Sequence, residues 1–495
     1  MKLLRVYISA FCMCSLSVLL NSCDDFLKEE PLDMKSSDQF WKTKADAESG
    51  VNALYFGGVP YLHNTDVGGG WTPKATMWGG IVSGLYVDKR KDRTFTTASE
   101  GCNFNIESFD DIAMKYWHEF YKGISRANFV IANIPTMTGV LDEATINNYV
   151  AQGKFFRAYG YFWLVKEFGG VPYISEPYTS TEGMYKERLS AEEVYKKIEA
   201  DLLDIVNGDA LPNKTFYDNG CYVTRAMAQT LLAQVYLQWA GAPLNGGTDY
   251  YGKAAQMALK VINDSPHELI HPNGTTDDLS SAYNVIKTTK SSAEIIYAKE
   301  YNYSDYSVGN SYACRSIGTD AFQWGVFHPG GDVLYNAYLP CDMLLNSYAS
   351  NDIRGHEKQF FFKQYTDAEG NTHTLNNVGN WAWFDENALI SGHDGDYNMP
   401  VFRFAEVLLI AAEGLARTNH EDNAVGGAKY YLNQVRKRAG LADETATGND
   451  LIQSILTERL HELPLEFKIW DDIRRTRLYP EASTESGKLK WTALA

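Results

Sequence analysis

Residues 148–168 read NYVAQGKFFRAYGYFWLVKEF. Wound as a helix, the stretch is apolar on nearly every face, with Phe155, Phe156, Tyr159, Phe162, Trp163 and Val165 spread around its circumference. A helix of that kind is covered from several sides by other helices. Gly153, Ala158 and Gly160 leave room for a neighbour to come close.

The same 3.6-residue period recurs on both sides of this segment. Residues 190–206 open on Ser190-Ala191-Glu192-Glu193, a capping-box spacing that satisfies the open N–H groups of a helix start. Val194, Ile198, Leu202 and Ile205 then fall on one stripe. Residues 224–240 begin at Thr224, turn Ala228, Leu232, Val235 and Trp239 inward, and are expected to stop at a left-handed Gly241. Residues 403–417 carry Phe404, Leu408, Ala411 and Leu415 at helical spacing. Further helices are predicted at 41–55, 111–133, 250–263, 424–439 and 450–475. Helices in pairs with short turns are the architecture of a tetratricopeptide-like array, although no strict sequence repeat is present.

Long regions at 56–110, 265–345 and 355–400 read as irregular and are rich in Gly, Asn, Asp and aromatic residues. Loops of that length carry function more often than packing. A short strand pair is expected around Glu294–Tyr301. No Pro- or Ser-rich linker follows residue 40, so one domain is expected over residues 41–495. The predicted class is mainly α, a helical-pair scaffold with long loops and little β-structure.

A chain of 495 residues can bury a large core. Its formal charge of −17 is the reverse of a nucleic-acid footprint, and an anionic membrane surface would repel it. Aromatic usage stands out, with 32 Tyr, 23 Phe and 11 Trp in a chain of mean hydropathy −0.32. Helix packing takes up most of these rings, and a minority is expected at the surface, where Tyr and Trp offer one apolar face and one polar handle.

The N-terminus reads as an address. Lys2 and Arg5 precede an apolar run from Val6 to Leu20, followed by Leu20-Asn21-Ser22-Cys23. Residues 1–22 form a signal peptide, too short for a membrane span. Small residues ending in Cys resemble a bacterial lipobox, which makes Cys23 the acylated first residue and residues 23–40 a polar tether. Acyl chains anchor through about 0.8 kcal/mol per buried methylene, so several hold firmly. Lys2 and Arg5 are the only charges in residues 1–22, so their removal takes −17 to −19. Cys102, Cys221, Cys314 and Cys341 form no CxxC pair, which gives no zinc framework; they read as small buried hydrophobes.

No GxSxG elbow, HExxH, Walker loop or GxGxxG after a strand is present. Glu458, Glu462 and Glu466 recur every fourth residue, but share one helix with Arg459, His461 and Lys468. Ion pairing on or near the helix surface is expected for them, as for Glu406 and Glu413, in preference to a glycosidase pair. His393-Asp394-Gly395-Asp396 offers Asp394 and Asp396 as a scrap of a metal site, without the later Glu of a calcium loop. Neither a metal nor a cofactor is expected.

An ordered set of segments resembles the SusD/RagB family of outer-membrane lipoproteins. Cys23-Asp24-Asp25-Phe26-Leu27 with Phe40-Trp41 looks like the family opening. Tyr121 through Asn128, Lys154 through Tyr159 with Phe168-Gly169-Gly170-Val171-Pro172, and Ser292 through Tyr297 follow in order. Arg403 through Leu409, Asn433 through Leu441 and Glu458 through Leu463 complete the set. Three departures stand out: Ile469 where the family has Arg, Pro464 inside the last helix, and no closing Pro-Ile-Pro and Asn-Pro segment.

The resemblance implies a helical body docked on a SusC-like TonB-dependent outer-membrane transporter. It implies a loop-built face that holds an oligosaccharide or polysaccharide, and an outer-leaflet location through the lipid anchor alone. A peptide ligand, as in the RagB branch, is the alternative, and a surface glycosidase a distant third. Sugars present apolar C–H faces edged by hydroxyls, so aromatic platforms with polar neighbours are the expected binders. The candidates are Trp71, Trp78, Tyr86, Tyr301, Tyr303, Trp324 and Trp383 with Asn302 beside them; Tyr306 and Phe327 lie in the same regions. Trp78 and Trp324 lead the set, because Gly79, Gly80 and Gly325 suggest exposed turns.

Overall fold

The structure is a computed structural model that describes residues 39–56, 75–87, 111–178, 180, 182–272, 276–310, 312–313, 316–328 and 338–494. The signal peptide and Cys23 lie outside them, as do Trp71, Cys102 and Cys314.

The helices in chain order are α1 (Lys44–Asn52), α2 (Ala75–Val82), α3 (Asp111–Asn133), α4 (Glu143–Phe168), α5 (Ala191–Asn207), α6 (Arg225–Ala240), α7 (Gly247–Asp264) and α8 (Ala282–Thr288). They continue as α9 (Tyr303–Tyr306), α10 (Asp342–Asn346), α11 (Glu386–Ser391), α12 (Phe404–Ala416), α13 (Ala428–Arg438), α14 (Gly448–Glu462) and α15 (Ile469–Thr476). Short strands are β1 (Tyr86–Val87), β2 (Ile295–Lys299), β3 (Leu339–Pro340), β4 (Phe361–Thr366), β5 (Thr372–Asn380), β6 (Met399–Arg403), β7 (Leu478–Ala482) and β8 (Leu489–Ala493).

Helices α3 to α7 pack one on the next, α7 then packs on α12, and α12 on α13 and α14. This is the expected mainly-α, tetratricopeptide-like succession. Local chemistry sets the starts. Ser190 and Glu193 close a capping box on α5, Asp142 accepts from the Thr145 amide at 2.8 Å on α4, and Thr224 caps α6. Gly153 and Gly160 of α4 let α3 approach: a Cβ there would lie 2.9 Å from Ile131 and from Ile124. No helix among the described residues is long and apolar enough to cross a membrane.

Four expectations need correction. Gly241 is extended (φ −95°, ψ −167°) instead of left-handed. Its small size serves packing, since a Cβ would sit 2.3 Å from the Arg475 carbonyl. The helix predicted over 450–475 breaks into α14 and α15, because Pro464 has no N–H to continue the ladder. The strand near Glu294–Tyr301 pairs with β6, about a hundred residues on, with Ile295 opposite Arg403 and Lys299 opposite Met399. The region 355–400 is not irregular: β4 and β5 form an antiparallel hairpin, Phe361 opposite Asn380 and Thr366 opposite Thr372.

The β2–β6 pairing places the two ends of the 300–398 excursion side by side. Helices share one large apolar core, while the excursion, α2 and the C-terminal elements share a second that includes Tyr86, Tyr301, Tyr312, Tyr338, Trp383 and Phe467. A third, smaller cluster holds Ile317, Phe327, Phe362, Tyr365, Leu375, Trp381 and Phe384 beneath the hairpin.

A buried charge network joins these parts. Glu462 accepts from Arg354 at 3.2 Å, from Arg403 at 3.0 Å and from Arg438. Arg354 also holds Asp352 and Glu458, and Arg403 holds Glu294 and Glu466. Glu413 receives a fork from Arg475 at 2.6 and 2.7 Å. Ion pairing was expected of Glu413, Glu458, Glu462 and Glu466 on or near the helix surface; Glu413, Glu458 and Glu462 are buried and Glu466 half-buried, because arginines from distant elements reach them. Cys221 and Cys341 are free, half-buried thiols.

Candidate functional site

Two ring ledges stand on the 300–398 excursion. The first is the short helix α9. Asn302 caps it, accepting from the Asp305 amide at 3.0 Å and donating to the Asp305 carboxylate at 2.9 Å. Asp396 reaches across to the same turn, accepting from the Tyr303 amide at 2.5 Å and the Ser304 hydroxyl at 2.6 Å. Burial works against its charge, but the Ser304 hydroxyl and these amides win and hold the carboxyl below its ordinary range. Tyr303 is half-buried and stacks on His393 at 4.4 Å between centroids, 17° from parallel. Tyr306 stands clear at the end of the turn with 75% of its surface open.

The second ledge is Trp324, last residue of a 3-10 turn (Thr319–Trp324) closed by a left-handed Gly325 at φ +74°. The indole is half-buried and stacks on His373 of β5 at 4.7 Å, with Tyr365 of β4 parallel behind at 6.2 Å. His373 bonds Asp367 at 2.8 Å, which holds that carboxyl down at about 2. The Tyr365 hydroxyl donates to Glu386 of α11. Phe327 and Phe384 pack beneath as buried supports. The segment from α11 to Asp396 braces both ledges: Glu386 supports the second, and His393 and Asp396 support the first. Rings fixed in this way offer flat apolar faces at little ordering cost.

The other candidates fare differently. Tyr86, Tyr301 and Trp383 are 1%, 1% and 4% exposed, so they are core rings and not platforms. Tyr86 stacks on Tyr338 at 4.1 Å, and Trp383 packs among Tyr312, Tyr338 and Phe467. Asn302 has both ends of its amide engaged as a cap, which leaves it a structural part of the first ledge. Trp78 lies on α2, and Trp71 falls outside the described residues. Gly79 and Gly80 are not in an exposed turn. They are buried on α2, where a Cβ would meet Trp470 at 2.8 Å and clash with the Tyr338 hydroxyl.

Asp394 and Asp396 do not gather a third ligand, and no cluster of three or more His, Cys, Asp or Glu residues suited to a metal forms among the described residues. Sequence reading missed His393 and His373 as ring supports. Their partners lie 90 and 49 positions away, and nothing local marks them.

Comparison with known proteins places this architecture. A family model described as "SusD family" matches residues 282–490, and one described as "Starch-binding associating with outer membrane" matches residues 81–237. The SusD-like protein P2 of Formosa agariphila is 27% identical over 95% of this chain and 91% of its own. A crystal structure of a SusD superfamily protein from Parabacteroides distasonis superposes with a TM-score of 0.78 at 25% identity, covering 90% of this chain and 91% of that one. Surface glycan-binding protein A from Bacteroides thetaiotaomicron, solved in complex with laminarihexaose, has a TM-score of 0.62 at 21% identity, covering 87% of this chain and 90% of that one. The helical succession, the two family models in order along it and relatives matched over about nine-tenths of their length all agree: the chain belongs to the SusD/RagB family.

Proposed function

We propose that this protein captures a glycan oligomer at the cell surface and delivers it to a SusC-like TonB-dependent transporter in the outer membrane, held there by acyl chains on Cys23. The carrying observation is the pair of braced ledges, Tyr303–Tyr306 and Trp324, on a single excursion whose ends meet at β2–β6. A sugar ring laid on such a face keeps its hydroxyls outward for hydrogen bonds, and each stack contributes about 1–3 kcal/mol by analogy with bases. The relative with bound laminarihexaose and the starch-binding family description support a glycan over a peptide.

Binding without hydrolysis fits the carboxylates. A glycosidase needs two that reach the ligand from opposite sides, about 5–9.5 Å apart. Glu458 and Glu462 are instead buried against Arg354, Arg403 and Arg438, and the half-buried Glu466 is paired with Arg403.

The test is calorimetric titration of the mature protein with a panel of neutral oligosaccharides, beside chromatography of the mixture. Heat of binding with the sugar recovered intact is the expected result. An inert panel, or copurified peptide in its place, would reject the glycan reading; released sugar product would reject the non-enzymatic one.

A further inference from the structure

A second surface with the chemistry of a sugar site runs along the helices. Its first compartment, about 810 Å³, lies between the start of α4 and the end of α5. Asn148 and Tyr149 border both this space and a second one of about 250 Å³. Asn52 and Tyr222 border both the second and a third of about 330 Å³, so the three adjoin one another in succession. None of the residues of the two loop ledges lines them.

A chain of hydrogen bonds runs beneath all three. The Val223 amide donates to the Tyr55 hydroxyl at 2.9 Å, and that hydroxyl donates to Gln152 at 2.5 Å. Gln152 donates to Asn148 at 2.7 Å, and Asn148 to the Ala210 carbonyl at 2.8 Å. Tyr222 stands above this floor with 39% of its surface open. Its hydroxyl donates to Asn52 at 2.9 Å, and its ring meets Tyr55 edge to face at 5.3 Å. The exposed ring is thus pinned at both ends, while the Asn52 amide nitrogen makes no hydrogen bond among the described residues.

We propose that this groove is a second binding site for a neutral oligosaccharide, separate from the loop ledges. Two tyrosine rings face the middle compartment, and beside them the Asn52 nitrogen stays unbonded among the described residues, while Asn148 and Gln152 are held in the floor; rings and donor together grip a C–H face and its hydroxyl rim. Glu48 and Glu300 stand in the lining and disfavour an anionic ligand; of its two lysines, Lys154 is neutralised by Asp204 at 2.6 Å and Lys299 is offset by the neighbouring Glu300. Compartments in line suit an extended chain over a single sugar. The inference rests on the glycan reading above.

Titration with laminarihexaose, maltohexaose, cellohexaose and mannohexaose tests it. One of these is expected to bind at two sites per chain. Tyr222→Ala or Tyr149→Ala then leaves one, and the double change Tyr306→Ala with Trp324→Ala removes the other. Tyr222→Phe, which keeps the ring, retains both sites with less than a tenfold loss. Circular dichroism of each variant should match the parent. A single site that ignores Tyr222→Ala and Tyr149→Ala but vanishes in the loop double variant overturns the groove and leaves the first reading standing. No heat with any of the four overturns both.

Discussion

Arg354 and Glu462 meet at 3.2 Å with neither side chain touching solvent. Glu462 also answers Arg403 and Arg438, and burial, which would lift its carboxyl, is outweighed by these cations. Removing one partner from such a cluster leaves uncompensated buried charge, a loss of about 3–5 kcal/mol. Glu462→Gln should therefore lower the urea midpoint strongly. Glu485→Gln, which touches only the exposed Lys488 pair, should change stability by no more than about 0.5 kcal/mol.

His461 lies beside Arg354 inside this cluster and bonds Ser347 at 2.8 Å. Burial first, and Arg354 second, push its pKa down to about 3. An unfolded chain titrates the same ring near 6.5, so above that pH neither state carries the extra proton. As pH falls below 6.5 the unfolded state takes it up and the folded state does not, and stability drops by up to about 1.4 kcal/mol per pH unit until about 3. Denaturant curves for His461→Gln should be flatter between pH 6.5 and 4.5. His267, also lowered by burial, keeps part of the slope in the variant. An unchanged slope would show that His461 titrates normally.

Trp324 and Trp383 separate platform from core. Trp324→Ala should cost oligosaccharide affinity about tenfold or more with a modest change in melting temperature. Trp383→Ala removes a 4% exposed indole from between Tyr338 and Phe467 and should cost about 3–5 kcal/mol of stability. Calorimetric binding and thermal melts on both variants check the split.

Gly241→Ala should destabilise although the backbone there is ordinary for any residue. The added methyl would lie 2.3 Å from the Arg475 carbonyl, a backbone atom fixed by the fork between Arg475 and Glu413. A fall of several degrees in melting temperature is expected.

How far the sequence was readable follows the range of the forces involved. The capping box at Ser190, the stripe from Val194 to Ile205 and the small residues of α4 act within a few residues, and each appears where its pattern placed it. Trp383 and Trp324 look alike in sequence, both ring-bearing and loop-borne. Trp383 is buried by Tyr312, Tyr338 and Phe467, while Trp324, stacked on His373, stays half-open. Glu458, Glu462 and Glu466 read as pairing on or near the helix surface because local spacing shows only Arg459, His461 and Lys468. Arg354 and Arg403, which draw them inside, lie dozens of residues upstream.

The antiparallel join of Ile295–Lys299 to Met399–Arg403 makes everything between them a cassette with adjacent entry and exit. Ligand preference can drift within such an insert, by changes of ring or hairpin length, while the helices below keep their sequence. The freedom has fixed points, chief among them Arg354, which midway along plugs into Glu458 and Glu462 on α14, with Ser347 bonded to His461 beside it. Exchange of this insert between relatives should therefore succeed where an arginine arrives at that socket and misfold where it does not.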